Sequence, residues 1–141
     1  MSAPVERRAA RLIVRDGAGD LLLMLGGDPS RPEAGRWWFT PGGGVEPGET
    51  DAEAAARELR EETAISGVEL TPLPWTRETE FDFAGVRYHQ REVYFLVTVD
   101  RVEPDTSGWT AAERRAQLEF RWWTMPELIA TTETVYPEDL A

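Results

Sequence analysis

The sequence predicts an α/β layered domain, and three observations carry that expectation. Short apolar runs separated by glycine- and proline-rich turns recur between Arg7 and Thr124, so strands dominate. One stretch, residues 50–63, instead opens with a helix-start signal and continues in helix formers without Pro or Gly. At 141 residues and 41% hydrophobic content, the chain is expected to be one domain, 1–141, able to bury a core.

Arg7 to Arg15 reads as a strand that becomes apolar toward its end, and Asp16 to Asp20 as a turn. Leu21 to Leu25 is wholly apolar, as a strand buried on both faces is, and should form a hairpin with the first. Gly26 to Arg36 is a loop by its composition; Arg31 and Arg36 there either meet phosphates or stay solvated. Trp37 to Thr40 is a short strand whose two tryptophans point to opposite faces, one to the core and one to a pocket border. Trp38 is the pocket candidate. Pro41-Gly42-Gly43-Gly44 suits neither a helix nor a central strand. Val68 to Phe83 holds Pro72 and Pro74, which marks an edge or interrupted strand. Ala84-Gly85 turns the chain into Val86 to Val102, the longest strand candidate. Glu103 to Gly108 is a loop, Trp109 to Gln117 a short helix or ordered loop, and Leu118 to Thr124 another strand. Met125-Pro126-Glu127-Leu128 starts a helix with an early proline, and the polar tail after it reads as loose.

Composition excludes several chemistries. With no cysteine there is no disulfide, thiolate metal site or Cys nucleophile, and a single histidine disfavours a His-based zinc site or a Ser-His-Asp triad. His89 reads most simply as an exposed strand residue. A net charge of −11 makes nucleic acid and anionic membranes poor partners. No apolar run spans a bilayer and the first residues are no signal peptide, so the expected compartment is the cytoplasm. All 15 basic residues are arginine, which bears on codon usage rather than mechanism. Residues 43–65 carry seven acids against two arginines, so the negative charge concentrates there.

That concentration is patterned. Thr50 with Glu53 is a capping box, placing a helix start at about Thr50. At about 100° per residue, Glu58, Glu61 and Glu62 share one part of the circumference, and Ala52, Ala56, Leu59 and Thr63 another. Like charges at this spacing repel by about 0.2–0.5 kcal/mol per pair. A solvated acidic face is the usual outcome of such a run. A hard divalent cation would instead turn the repulsion into ligation.

The full spacing decides between them. Gly43, five residues, Glu49, seven residues, Arg57-Glu58-Leu59, one residue, Glu61-Glu62, one residue and Ala64-Ile65 resembles the signature of the Nudix hydrolases (MutT-like), matching everywhere except Ala64, where the family has Gly. A Gly there would end the helix in a left-handed conformation that costs Ala about 1 kcal/mol. The resemblance implies the Nudix fold, a mixed sheet sandwiched between helices. It also implies Mg²⁺-dependent hydrolysis, or Mn²⁺-dependent, of a nucleoside diphosphate linked to another group. Carried over by position, Glu61 and Glu62 are metal ligands, Glu58 a ligand or the base, and the Gly42 carbonyl a further ligand. Arg57 orients the carboxylates, with Glu49 as its partner, or pairs on the surface with Glu61. Many relatives use a later acid; Glu113 is the candidate, with Glu119 and Glu103 as rivals and a plain surface role as the alternative.

The substrate is not legible. Motifs associated with NADH, ADP-ribose and dinucleoside polyphosphates are missing or displaced, and Gly26-Gly27 stands where triphosphate-cleaving members carry an Arg. Arg36, Trp38, Phe83 and Tyr88 are the candidate substrate contacts, the aromatics by stacking on a base. The expected partner is a small nucleotide derivative, and a homodimer is the assembly to look for. Two other classes compete. One is a catalytically silent, nucleotide-sensing Nudix domain, which retention of every box carboxylate disfavours. The other is an acidic interaction module, which predicts no Mg²⁺ binding.

Overall fold

The structure, a computed structural model, describes residues 3–27, 35–100, 119–137 and 140. Glu103, Glu113 and Arg31, with the short helix expected at 109–117, lie outside the described residues.

The described residues form an eight-stranded mixed sheet. Its spine is β1 (Val5–Arg15) beside β6 (Val86–Thr98), parallel from Val5 opposite Tyr88 to Arg15 opposite Thr98. β5 (Thr71–Phe83) lies antiparallel to β6 at one edge. On the other side of β1 come β2 (Leu21–Gly26), β3 (Trp37–Phe39) and β8 (Val135–Tyr136). β4 (Gly42–Gly44) pairs with β1, and β7 (Glu119–Trp123) with β2. Two helices, α1 (Asp51–Thr63) and α2 (Met125–Ala130), complete the description. None is long and apolar enough to cross a membrane.

Alternation along the strands divides the core into two layers. Leu12, Val14, Leu22, Phe95 and Val97 pack against Ala54, Ala55 and Leu59 of α1. The opposite face of β2, Leu21 and Leu23, packs with Trp38, Trp123 and Leu128 of α2. Helices therefore cover both faces, an α/β/α arrangement. Trp38 and Trp123 meet edge to face with centroids 5.1 Å apart.

Local chemistry explains the boundaries. Thr50 and Glu53 make the reciprocal capping box at the start of α1, and Thr124 with Glu127 makes a second one at α2. Pro72 and Pro74 put a register shift into β5 between Pro72 and Thr76, which an edge strand tolerates. Ala84 and Gly85, both at positive φ, close the β5–β6 hairpin.

Three expectations need correction. The buried face of α1 is Ala54, Ala55, Leu59, Glu62 and Thr63, while Ala52 and Ala56 are exposed. Glu62 thus belongs to the buried side rather than to a solvated stripe. Within the polar tail, Val135 and Tyr136 are not loose but pair with β3. Lastly, Trp38 is core, 6% exposed.

Candidate active site

The site is built around β4, whose three glycines each make room for something different. A Cβ on Gly42 would strike the Ala10 carbonyl and Arg11 Cα of β1, and the φ of +141° there also favours Gly. A Cβ on Gly43 would sit 2.5 Å from Glu58 Oε1, and one on Gly44 2.9 Å from Arg7 Nε and Nη2. Glycines at these positions let a helix carboxylate approach one side of the strand and a guanidinium the other.

Arg57 ties α1 to this strand. Its Nε donates to Glu49 Oε2 at 2.8 Å and its Nη2 to Glu49 Oε1 at 3.1 Å, a bidentate pair. Nη1 donates to Glu58 Oε1 at 3.0 Å and Glu61 Oε2 at 3.2 Å, and Nη2 also reaches the Gly44 carbonyl at 2.9 Å. The Glu49 hydrogen bond does most to raise the Arg57 guanidinium above its usual range; burial opposes it and Glu58 adds to it. In turn, the Arg57 hydrogen bond holds the Glu49 carboxyl below the usual carboxylate range. The Arg57–Glu49 partnership expected from the sequence is what the structure displays.

The three box carboxylates take different positions. Glu58 lines the cavity described below. Glu61 is the most open of the three. Glu62 is 3% exposed, and its Oε1 accepts from the Gly42 amide at 2.9 Å. The Gly42 carbonyl accepts from Arg11 Nη1 at 3.2 Å, so this residue is held through both its amide and its carbonyl. Among the described residues, no three His, Asp or Glu side chains converge closely enough to enclose a metal ion. The donor set still fits one in kind: carboxylate and carbonyl oxygens with no soft ligand suit a hard divalent cation.

A cavity of about 630 Å³ runs from Glu58 and the glycines of β4 across the sheet. Its wall is polar: Arg7 and Arg11 from β1, Arg77 from β5, and Gln90, Glu92 and Tyr94 from β6. Trp37, Phe39 and Tyr136 border it. Glu92 organises the wall, accepting from Arg11 Nε at 3.0 Å, Arg77 Nη1 at 2.9 Å, Gln90 Nε2 at 2.9 Å and Tyr94 Oη at 3.0 Å. Burial pushes the Glu92 carboxyl up, but Arg11 and Arg77 outweigh it and hold it below the usual range. Burial, then Glu92, push the Tyr94 hydroxyl well above its ordinary value.

The candidate substrate contacts fare differently. Trp38 packs in the core with Nε1 on Glu133, and its neighbour Trp37 borders the cavity instead. Strand alternation required one of each, and the sequence alone gives no parity. Arg36 pairs with Glu119 and the Leu25 carbonyl, away from the cavity lining. Tyr88 stacks on Phe81 with centroids 5.5 Å apart and lies under Arg7; Phe81 is the one that lines the cavity. Phe83 ends β5, and its side chain falls outside the description. His89 is a strand residue bonded to Glu6.

Arg7, Arg11, Arg77, Gln90 and Glu92 were not singled out from the sequence. Their signal is alternation: Arg7 and Arg11 share a parity along β1, as do Gln90, Glu92 and Tyr94 along β6. Charge on one face of a central strand has to be buried or used.

Comparison with known proteins bears on the site. The NUDIX domain family model matches residues 5–139. Over 62 residues the chain is 39% identical to the bis(5'-nucleosyl)-tetraphosphatase [asymmetrical] of Mus musculus, covering 44% of this chain and 42% of that protein. The chain therefore matches less than half the length of that relative. Among solved structures, a MutT protein from Methanosarcina mazei Go1 is similar with a TM-score of 0.66 and 22% identity, covering 95% of this chain and 88% of that one. The E. coli dihydroneopterin triphosphate pyrophosphohydrolase gives 0.62 and 20%, covering 92% and 90%. An Ap4A hydrolase of C. elegans gives 0.58 and 23%, covering 87% and 81%. At these identities the structural likenesses speak for the fold.

Proposed function

The chain belongs to the NUDIX-domain family, and on that premise we propose that it hydrolyses a pyrophosphate bond in a nucleotide-type substrate, a nucleoside diphosphate linked to another group. The observation that carries this reading is the Arg57 knot, which gathers Glu49, Glu58 and Glu61 beside the glycine strand at the mouth of a polar cavity.

Glu58, Glu61, Glu62 and the Gly42 carbonyl are the groups that would hold Mg²⁺ or Mn²⁺. When bound, such an ion neutralises pyrophosphate charge and makes water more acidic. The chain's own residues do the rest. Glu62 accepts from the Gly42 amide and so ties β4 to α1. Arg57 holds Glu58 and Glu61 in place through hydrogen bonds from its Nη1. Glu58, facing the cavity, is placed either to ligate or to take a proton as water attacks phosphorus. Glu113 is a further candidate for that proton. Arginines of the sheet wall carry positive charge toward the substrate's phosphates, and Trp37, Phe39 and Tyr136 offer faces to a base.

The test is release of phosphate, pyrophosphate or nucleotide from a panel with Mg²⁺ or Mn²⁺, using Glu58→Gln as control. The panel holds NTPs, dNTPs, damaged dNTPs, dinucleoside polyphosphates, ADP-ribose, NADH and nucleotide sugars. The expected result is turnover of one class, reduced about 10²–10⁴-fold in the variant. Metal binding without turnover of any member would favour a nucleotide-sensing domain.

A further inference from the structure

Arg7 and Arg11 lie on one face of β1, four residues apart, and both line the cavity. A guanidinium carries five N–H donors. Arg11 spends one on Glu92 and one on the Gly42 carbonyl. Arg7 spends none on a hydrogen bond among the described residues; its contact there is with the face of Tyr88, 5.7 Å from Arg7 Cζ. Two guanidiniums with most of their donors unspent are thus held in one cavity. Burial first, then repulsion from Arg11, hold the Arg7 guanidinium below its usual range and outweigh the opposing pull of Tyr88, Glu58 and Glu92. Gly44 is the notch that lets Arg7 lie along β4, on the side of the strand opposite Glu58 at Gly43.

We propose that Arg7 and Arg11 form an anion subsite, independent of metal, that takes a phosphate of the substrate's polyphosphate chain. This rests on the proposed hydrolase reading for the identity of the chain, and it adds the direction in which the chain lies. One phosphate faces Glu58 and the next crosses the edge of β4 to the arginine side. A phosphate suits the site better than a carboxylate. A carboxylate saturates one guanidinium fork, whereas two guanidiniums with many free donors match a dianion with several oxygens.

The test is calorimetric titration of inorganic tripolyphosphate into the protein in EDTA, without catalysis or metal. Wild type should bind. Arg7→Met should weaken binding about ten- to hundredfold, and Arg7→Lys should restore part of it. Gly44→Ala keeps both charges but displaces the flexible end of Arg7, and should weaken binding several-fold. Arg7 is half-buried on a strand face rather than in the core, so these variants should melt as wild type does. No binding by wild type, or Arg7→Met binding as tightly as wild type, would overturn the subsite. So would a loss of binding that tracks a loss of melting temperature and is not restored by Lys. Because no turnover is needed, Arg7-dependent binding in a protein that hydrolyses nothing would sink the hydrolase reading and leave the subsite standing. Turnover without Arg7-dependent binding would do the reverse.

Discussion

Glu92 is 4% exposed and accepts hydrogen bonds from four side chains, two of them arginines that are themselves largely covered. Removing its charge would take a buried counter-ion from Arg11 and Arg77 at the same time. Glu92→Gln should therefore cost about 2–4 kcal/mol in denaturant unfolding. The carboxyl is held below the usual carboxylate range in the folded state, so its contribution is present above that range and is lost as pH falls through the lower folded value. Wild type should lose stability below about pH 4.5, and Glu92→Gln should lose less of it over that interval. None of this is legible from one sequence, where Glu92 is one acid in Gln90-Arg91-Glu92-Val93. Only the pairing of β6 with β1 and β5 brings Arg11 and Arg77 to it.

At the scale of elements, the sequence said most where chemistry is local. The capping box at Thr50, the proline-interrupted edge strand and the Ala84-Gly85 turn were all legible because each depends on residues within a few positions. Burial was harder: the helix periodicity was right and its phase was off, since Ala54 and Ala55 rather than Ala52 and Ala56 face the sheet. The second capping box, Thr124 to Glu127, carried a signal that went unread. Ala64, the one departure from the family signature, ends α1 in the left-handed conformation at a φ of 66°, with its amide on the Arg60 carbonyl. The chain keeps the geometry that Gly would adopt and bears the Cβ strain. Ala64→Gly should therefore stabilise the protein by about 0.5–1 kcal/mol in denaturant unfolding, with metal binding unchanged. A destabilised variant would mean that the Ala64 methyl packs more than it strains.

Across the whole molecule, the carboxylate side of the site comes from one contiguous stretch and the substrate side from five separate strands. That difference explains the uneven legibility. Glu49, Arg57, Glu58 and Glu61 are close in sequence: one turn of α1 places the last three, and Glu49 lies just before the helix. The cavity wall exists only once β1, β5, β6, β3 and β8 are paired, so Arg7, Arg77, Glu92 and Tyr136 become a group through topology alone. Trp38 went astray for the same reason. A strand's two faces look alike until its neighbours are known. The two sides meet at Gly42, whose amide bonds Glu62 and whose carbonyl bonds Arg11. Catalysis in this account depends on Arg57 holding the carboxylates in place, because it touches Glu49, Glu58, Glu61 and the glycine strand together. The most direct measurement is kcat of Arg57→Met, with KM and melting temperature alongside, on the substrate that the panel identifies. The account predicts a fall of about 10²-fold or more, as expected when reacting groups are misplaced by about 1 Å, with KM changed little. A kcat close to wild type in a folded variant would contradict it.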